Sequence, residues 1–256
     1  MTTATMQAPV LYVFTISHYC EKARWALDAC GLDYTLRHTM IGTHRRVAKK
    51  LGARRGSLPF LHTAQGVVCG SAAILDWCEQ QVGTAATPWA QGDDHEARAV
   101  EKRLDDVAGV HVRRFYYSDA LLNAPNTVRP IFSNGLPLWQ RGLVTLGWGR
   151  IVQLMCQAMD LGEAQGRESR AVLEAELDWL DGLLSDGRPY LCGNAWSRAD
   201  LAAASLLAPL VEPPEHPLAG QLQFPAQVRA AMAAWQARPV LQHVRRMYAQ
   251  HRRQPA

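Results

Sequence analysis

The chain has 256 residues, of which 48% are hydrophobic and 20% are charged. This length and balance favour two globular domains and exclude a largely disordered or collagen-like chain. The formal net charge of +4 is only mildly basic, so it gives no support to a nucleic-acid or membrane-surface role, and we predict neither partner.

The first third of the chain alternates between strand and helix patterns. Short β-branched and aromatic runs indicate strands, and apolar residues at helical spacing indicate helices that end at glycines such as Gly31 and Gly83. The order predicts a βαβ unit followed by a β-hairpin and a helix, an α/β domain over residues 9–83. The predicted strands cover residues 10–16, 34–38, 58–61 and 67–69, and the predicted helices cover residues 20–29, 44–51 and 71–83.

Beyond Gly83 the strand patterns do not return. Residues 84–92 have the composition of a linker, and residues 93–250 predict an all-helical second domain, as in the repeat of Leu173, Leu177, Leu180 and Leu184 along one helix face. Residues 125–149 contain three prolines and four glycines, so they predict either a loop or broken helices.

Ser17 lies where the first strand gives way to the first helix. Free backbone N–H groups and the positive end of the helix dipole meet at such a junction, which suits an anion or a thiolate. The Ser17 hydroxyl can donate a hydrogen bond to a thiolate, and lowering a thiol pKa to near neutrality takes only about 2–3 kcal/mol. Ser17 as an ordinary helix N-cap is an equally good interpretation of the local sequence.

The stretch SHYCEKARWAL, which begins at Ser17, resembles the signature of the serine-type cytosolic glutathione transferases (theta-, zeta- or tau-like). The resemblance implies a thioredoxin-like N-terminal domain, an all-α C-terminal domain and glutathione as co-substrate. It also implies that Ser17 stabilises the glutathione thiolate. His18 stands where the family usually has proline, and we interpret it as a surface histidine, with a role as a base as the alternative.

Two further segments of the first domain fit this resemblance. Pro59 interrupts an apolar run, and the resemblance implies a cis Leu58-Pro59 bond that leaves the Leu58 backbone free to pair with glutathione. Gly70 and Ser71 open a segment similar to the family's Glu-Ser-x-Ala-Ile motif, which implies that Ser71 and the helix N-terminus hold the γ-glutamyl carboxylate. Gly70 replaces the usual Glu or Gln.

A basic cluster and a distant cap extend the resemblance. The residues from 44 to 55 carry seven basic side chains, and by resemblance Lys50 contacts the glycyl carboxylate of glutathione. Far downstream, Ser197 and Asp200 match the family's capping box, which opens a buried helix.

We therefore predict a glutathione transferase that conjugates glutathione to a small, hydrophobic electrophile. His111, Phe115 and Tyr116, on the first long helix of the second domain, are the candidates for the second-substrate pocket. The alternatives are a glutathione-dependent reductase or peroxidase that uses Cys20, and a non-catalytic binding protein of the same fold. The resemblance also implies a homodimer.

The cysteines and the start of the chain predict where the protein works. Six scattered cysteines lack the spacing of a disulfide framework or a zinc site, so we predict no metal and a reducing, cytoplasmic location. The first nine residues lack the basic start and the apolar run of a signal peptide.

Overall fold

The computed structural model describes residues 8–89 and 94–252. Its N-terminal part contains a four-stranded sheet in the order β2-β1-β3-β4, in which β1 pairs parallel with β2 and antiparallel with β3, and β3 pairs antiparallel with β4. The predicted first strand is too long, because the backbone turns after Val13 and the Ser17 N–H donates to the Phe14 carbonyl over 3.1 Å. The strands are β1 (Val10–Val13), β2 (Thr35–His38), β3 (Phe60–Thr63) and β4 (Gly66–Cys69).

Three helices cover this sheet. Helices α1 (His18–Ala29) and α3 (Ser71–Val82) pack together in the larger core with buried strand residues such as Leu11 and Leu61. Helix α2 (His44–Lys50) closes a separate small cluster in which Ala48 meets Tyr12 and Phe60. Apolar side chains that alternate along the strands thus reach both layers of helices.

A helical region follows. A short 3₁₀ turn (Thr84–Ala86) lies in the predicted linker, and residues 90–93, at the end of that linker and the start of the predicted second domain, lie outside the described residues. A π-helical stretch (Leu104–Ala108) joins α4 to α5 in one continuous rod. The helices are α4 (Asp94–Arg103), α5 (Gly109–Asn123), α6 (Pro125–Phe132), α7 (Leu138–Ala158), α8 (Glu163–Leu183), α9 (Arg198–Val211), α10 (Ala226–Trp235) and α11 (Pro239–His251).

For residues 125–149, the prediction of broken helices is confirmed and the loop is not. Pro125 occupies the first turn of α6, where the missing N–H of a proline costs nothing. The chain turns after Phe132 and continues as α7, and the Trp148 indole on α7 donates to the Pro125 carbonyl over 3.0 Å. Together α6 and α7 form a helical hairpin that packs against α5.

Helix α9 forms the centre of the molecule and packs against α1, α4, α5 and α11. The predicted capping box at its start is confirmed, because the Ser197 N–H donates to Asp200 Oδ2 over 2.9 Å. The buried His243 ring of α11 lies 2.9 Å from the other carboxylate oxygen, Asp200 Oδ1. The cap therefore also fastens α11 to α9. Across the described ranges 8–89 and 94–252, every helix is too short or too polar to cross a membrane.

Candidate functional site

The register of the sheet brings the predicted glutathione-binding segments to one edge. Tyr12, Phe60 and Cys69 are paired across β1, β3 and β4. The segment after β1 leads to Ser17, the segment before β3 contains Pro59, and the segment after β4 contains Gly70 and Ser71. Residues nearly sixty positions apart in sequence therefore lie at the same end of the sheet.

Ser17 is the N-cap of α1. Its backbone is extended, and its hydroxyl oxygen accepts a hydrogen bond from the Cys20 N–H over 3.3 Å. The hydroxyl hydrogen can still be donated to a ligand at the helix N-terminus, where the dipole favours a negative charge. The two interpretations of Ser17 from sequence are thus compatible, because one side chain can cap the helix and face an anion.

The second segment adds backbone groups to this edge. The Leu58-Pro59 bond is cis, as predicted, and the Pro59 carbonyl accepts a hydrogen bond from the Gly70 N–H over 3.0 Å. Gly70 has a φ of +94° and is the N-cap of α3, a conformation that an L-residue rarely adopts. Ser71 is the first helical residue and is buried. Glycine therefore suits position 70, because a residue with a side chain would be strained at this φ angle.

Lys50 lies in the last turn of α2 and is exposed. Helix α2 follows β2, which ends at the same edge of the sheet as β1 because His38 is paired with Val13. The structure gives Lys50 no contact with Ser17 or Ser71, so its role toward a glycyl carboxylate stays a prediction.

The interpretation of His18 as a surface residue is wrong. Only 6% of its surface is exposed, and its Nε2 atom donates to the Gly109 carbonyl on α5 over 3.0 Å. Burial, together with the positive charge of Arg113, lowers the His18 pKa to about 3. The neutral ring connects α1 to α5. Its other ring nitrogen, which would have to take up a proton, is buried with the ring, so His18 is poorly placed to act as a base.

Cys20 lies one helical turn after Ser17 and is 1% exposed. Burial raises the pKa of its thiol to about 11, although the hydrogen bond from Ser17 acts in the opposite direction. At neutral pH the thiol is therefore protonated, whereas a nucleophilic cysteine needs a thiolate.

The three candidate residues for the second-substrate pocket contact other parts of the helical region. His111 Nδ1 lies 3.1 Å from the Ser169 hydroxyl on α8, and the Phe115 ring packs against Trp235 on α10. The Tyr116 hydroxyl donates to the Gln223 carbonyl over 3.0 Å. None of these recorded contacts joins them to the edge that carries Ser17, so their role toward a second substrate stays a prediction.

The turn between α6 and α7 lies against the same edge, which the sequence did not indicate. The Thr15 hydroxyl donates to the Asn134 carbonyl over 2.9 Å and lies 2.8 Å from His38 Nδ1. Gly135, with a φ of +76°, passes so close to the His38 ring that an added Cβ would lie 2.4 Å from it. The hydrogen bond between Thr15 and Asn134 joins residues 119 positions apart, and no local sequence pattern marks it.

Comparisons with known proteins support the fold. Residues 11–86 match the family model described as the N-terminal domain of glutathione S-transferase. A search of curated proteins finds no match to the chain.

Solved structures resemble the whole chain. Glutathione transferase GSTFuA3 from Phanerochaete chrysosporium is 15% identical, with 98% of this chain and 100% of that chain covered and a TM-score of 0.59. Beta-etherase LigF from Sphingobium sp. strain SYK-6 is 17% identical, with coverages of 93% and 98% and a TM-score of 0.56. A glutathione S-transferase from Rhodospirillum rubrum F11 is 21% identical, with coverages of 92% and 91% and a TM-score of 0.51. The predicted fold, a thioredoxin-like domain followed by an all-α region, is confirmed.

Proposed function

We propose that this chain is a glutathione transferase that joins the glutathione sulfur to a small electrophile, because residues 11–86 match the N-terminal domain of glutathione S-transferase and the fold is that of solved glutathione transferases. The observation that carries the proposal is the position of Ser17. Its hydroxyl caps α1 at the edge of the sheet where the cis Pro59 segment and the N-terminus of α3 also lie.

Ser17 has the chemistry to activate a thiol. A hydroxyl that donates to sulfur stabilises the thiolate and not the thiol, and the N-terminus of α1 adds a favourable field. The thiolate then attacks the electrophilic carbon, and the leaving group departs with its bonding electrons. Activation and positioning of the nucleophile would supply most of the rate enhancement.

On this proposal the remaining parts of glutathione bind groups of the neighbouring segments. The Leu58 backbone beside Pro59 would pair with the cysteinyl unit in the manner of an added strand. Ser71, Gly70 and the free N–H groups of the α3 N-terminus would hold the γ-glutamyl carboxylate, and Lys50 would approach the glycyl carboxylate.

A cytoplasmic location belongs to the same proposal. All six cysteines are free, which suits a reducing compartment.

Ser17→Ala tests the role of the hydroxyl. A hydrogen bond to a charged acceptor contributes roughly 1.5–3 kcal/mol, so the pKa of bound glutathione should rise by about one to two units and conjugation at neutral pH should fall tenfold or more. Thiolate absorbance against pH measures the first quantity, and turnover of a chloronitrobenzene measures the second. Ser185→Ala, at an exposed site beyond α8, is the control and should change neither.

Cys20→Ser separates the two chemistries. On this proposal conjugation stays nearly unchanged, because the Cys20 thiol is buried and protonated. If Cys20→Ser abolished turnover while Ser17→Ala was tolerated, the protein would be a cysteine-dependent reductase. If neither variant mattered in any glutathione assay, the chain would be a non-catalytic binding protein.

A further inference from the structure

Arg113 lies on α5 beside the segment that carries Ser17. His18, the next residue after Ser17, is hydrogen-bonded to the Gly109 carbonyl, and Arg113 follows Gly109 by one helical turn on the same face. Helical side chains lean toward the helix N-terminus, so the Arg113 side chain extends toward Gly109 and His18. Its positive charge accordingly helps to lower the His18 pKa.

The Arg113 guanidinium has no counterion within the described parts of the chain. Its Nε atom is buried without a hydrogen-bond partner, and no carboxylate of residues 8–89 or 94–252 lies within ion-pair distance. Two buried cations at the domain interface, Lys22 and Arg198, are paired. Lys22 meets two carboxylates at 2.7 Å, and Arg198 meets three. The buried Nε–H of Arg113 therefore lacks a hydrogen-bond acceptor, which an anionic ligand could supply.

The two carboxylates of glutathione already have candidate partners on α2 and α3, so Arg113 is available for a different anion. Arg113 instead belongs to helix α5 of the helical region, and its charge acts on His18, the residue after Ser17. We propose that Arg113 binds an anionic group, of the carboxylate class, on the second substrate. This inference rests on the proposed transferase function and refines it, because the expected electrophile carries a negative charge as well as an apolar part.

A guanidinium presents paired N–H donors that match a carboxylate, and such charge-assisted hydrogen bonds contribute roughly 1.5–3 kcal/mol. A neutral carboxamide of the same shape lacks the charge. The protein is therefore expected to bind a carboxylate ligand more tightly than a carboxamide ligand that differs from it only in this group.

The test uses S-substituted glutathiones as probes, because they bind without turnover. S-(carboxybenzyl)glutathiones with the carboxylate at the ortho, meta or para position are each compared with the matching carboxamide by calorimetry. The wild-type protein should bind at least one carboxylate about tenfold or more tightly than its carboxamide. Arg113→Leu should abolish this preference and leave carboxamide binding unchanged, and Arg113→Lys should retain part of it.

Arg114→Leu is the matched control, since it removes the same charge from the neighbouring position of α5, where the side chain pairs with Asp160 and Glu168. It should keep the wild-type preference. Equal binding of carboxylate and carboxamide by the wild-type protein at all three positions would overturn the proposal even if a variant failed to fold. A preference for the carboxylate that survived in Arg113→Leu would also overturn the proposal. If the wild-type protein bound neither the probes nor glutathione, the proposed transferase function itself would fail.

Discussion

At the scale of single residues, His18 gives the protein a pH-dependent stability. The ring is free to bind a proton in the unfolded chain, with a pKa near 6.5, but burial holds its pKa at about 3 in the folded protein. The unfolded state therefore takes up the proton first. The contribution is fully present above pH 6.5 and is lost progressively as the pH falls toward 3.

His18→Gln removes the titrating group and keeps a side-chain N–H donor. From pH 7.5 to pH 5 the wild-type protein should lose about 2 kcal/mol of unfolding free energy through His18, and the variant should be spared that loss. Urea unfolding at the two pH values measures the difference. Ser185→Ala, which changes an exposed residue that does not titrate, should behave as the wild-type protein does. An identical pH dependence in His18→Gln would contradict the assignment.

At the scale of helices, the contact between α1 and the α4–α5 rod depends on a buried ion-pair network. The fully buried Lys22 ammonium lies 2.7 Å from Glu101 Oε1 and 2.7 Å from Asp105 Oδ2. Arg198, at the start of α9, pairs with the same Glu101. Asp105 belongs to the π-helical stretch, and its backbone carbonyl also accepts a hydrogen bond from the Tyr19 hydroxyl over 2.6 Å. Two side chains of α1, Tyr19 and Lys22, therefore bind the π-helical stretch.

Lys22→Met keeps the length of the side chain and removes its charge. Asp105 then loses its cationic partner and Glu101 keeps only Arg198, and breaking one side of a buried pair costs about 3–5 kcal/mol of unfolding free energy. Chemical denaturation measures this loss. Lys102→Met breaks an exposed pair with Asp106 on the rod itself and should cost less than about 1 kcal/mol. A similarly small loss in Lys22→Met would mean that apolar packing alone holds α1 in place.

At the scale of the whole molecule, we predict a homodimer. Large apolar side chains remain exposed on α7, among them Leu146 at 87%, Leu138 at 80% and Trp139 at 65%. Exposed patches of this kind mark surfaces for association. Light scattering at micromolar concentration should give twice the 28.4 kDa mass of one chain.

The same measurement can locate the contact. Leu146→Glu should lower the dimer fraction if α7 takes part, whereas Gln157→Glu adds the same charge to this helix without removing an apolar group. A monomeric wild-type protein would contradict the homodimer. A dimer insensitive to Leu146→Glu would place the contact elsewhere.

The sequence by itself determined the order of most elements and most of the edge that carries the candidate site. Strand and helix periodicity, the Ser197 and Asp200 cap and the proline at position 59 are signals carried by a few neighbouring residues, so they can be recognised without the fold. Only the tertiary structure decided which side chains meet across the domain interface.

His18 illustrates the limit. Its neighbours in sequence predict a surface residue, but its environment is made by Gly109, 91 positions away, and by the charge of Arg113. The contact of Thr15 with the turn after α6 and the pairing of Lys22 with Asp105 have the same origin. Burial and electrostatics depend on every group that packs around a side chain, and chain topology brings those groups together from segments with no common local pattern.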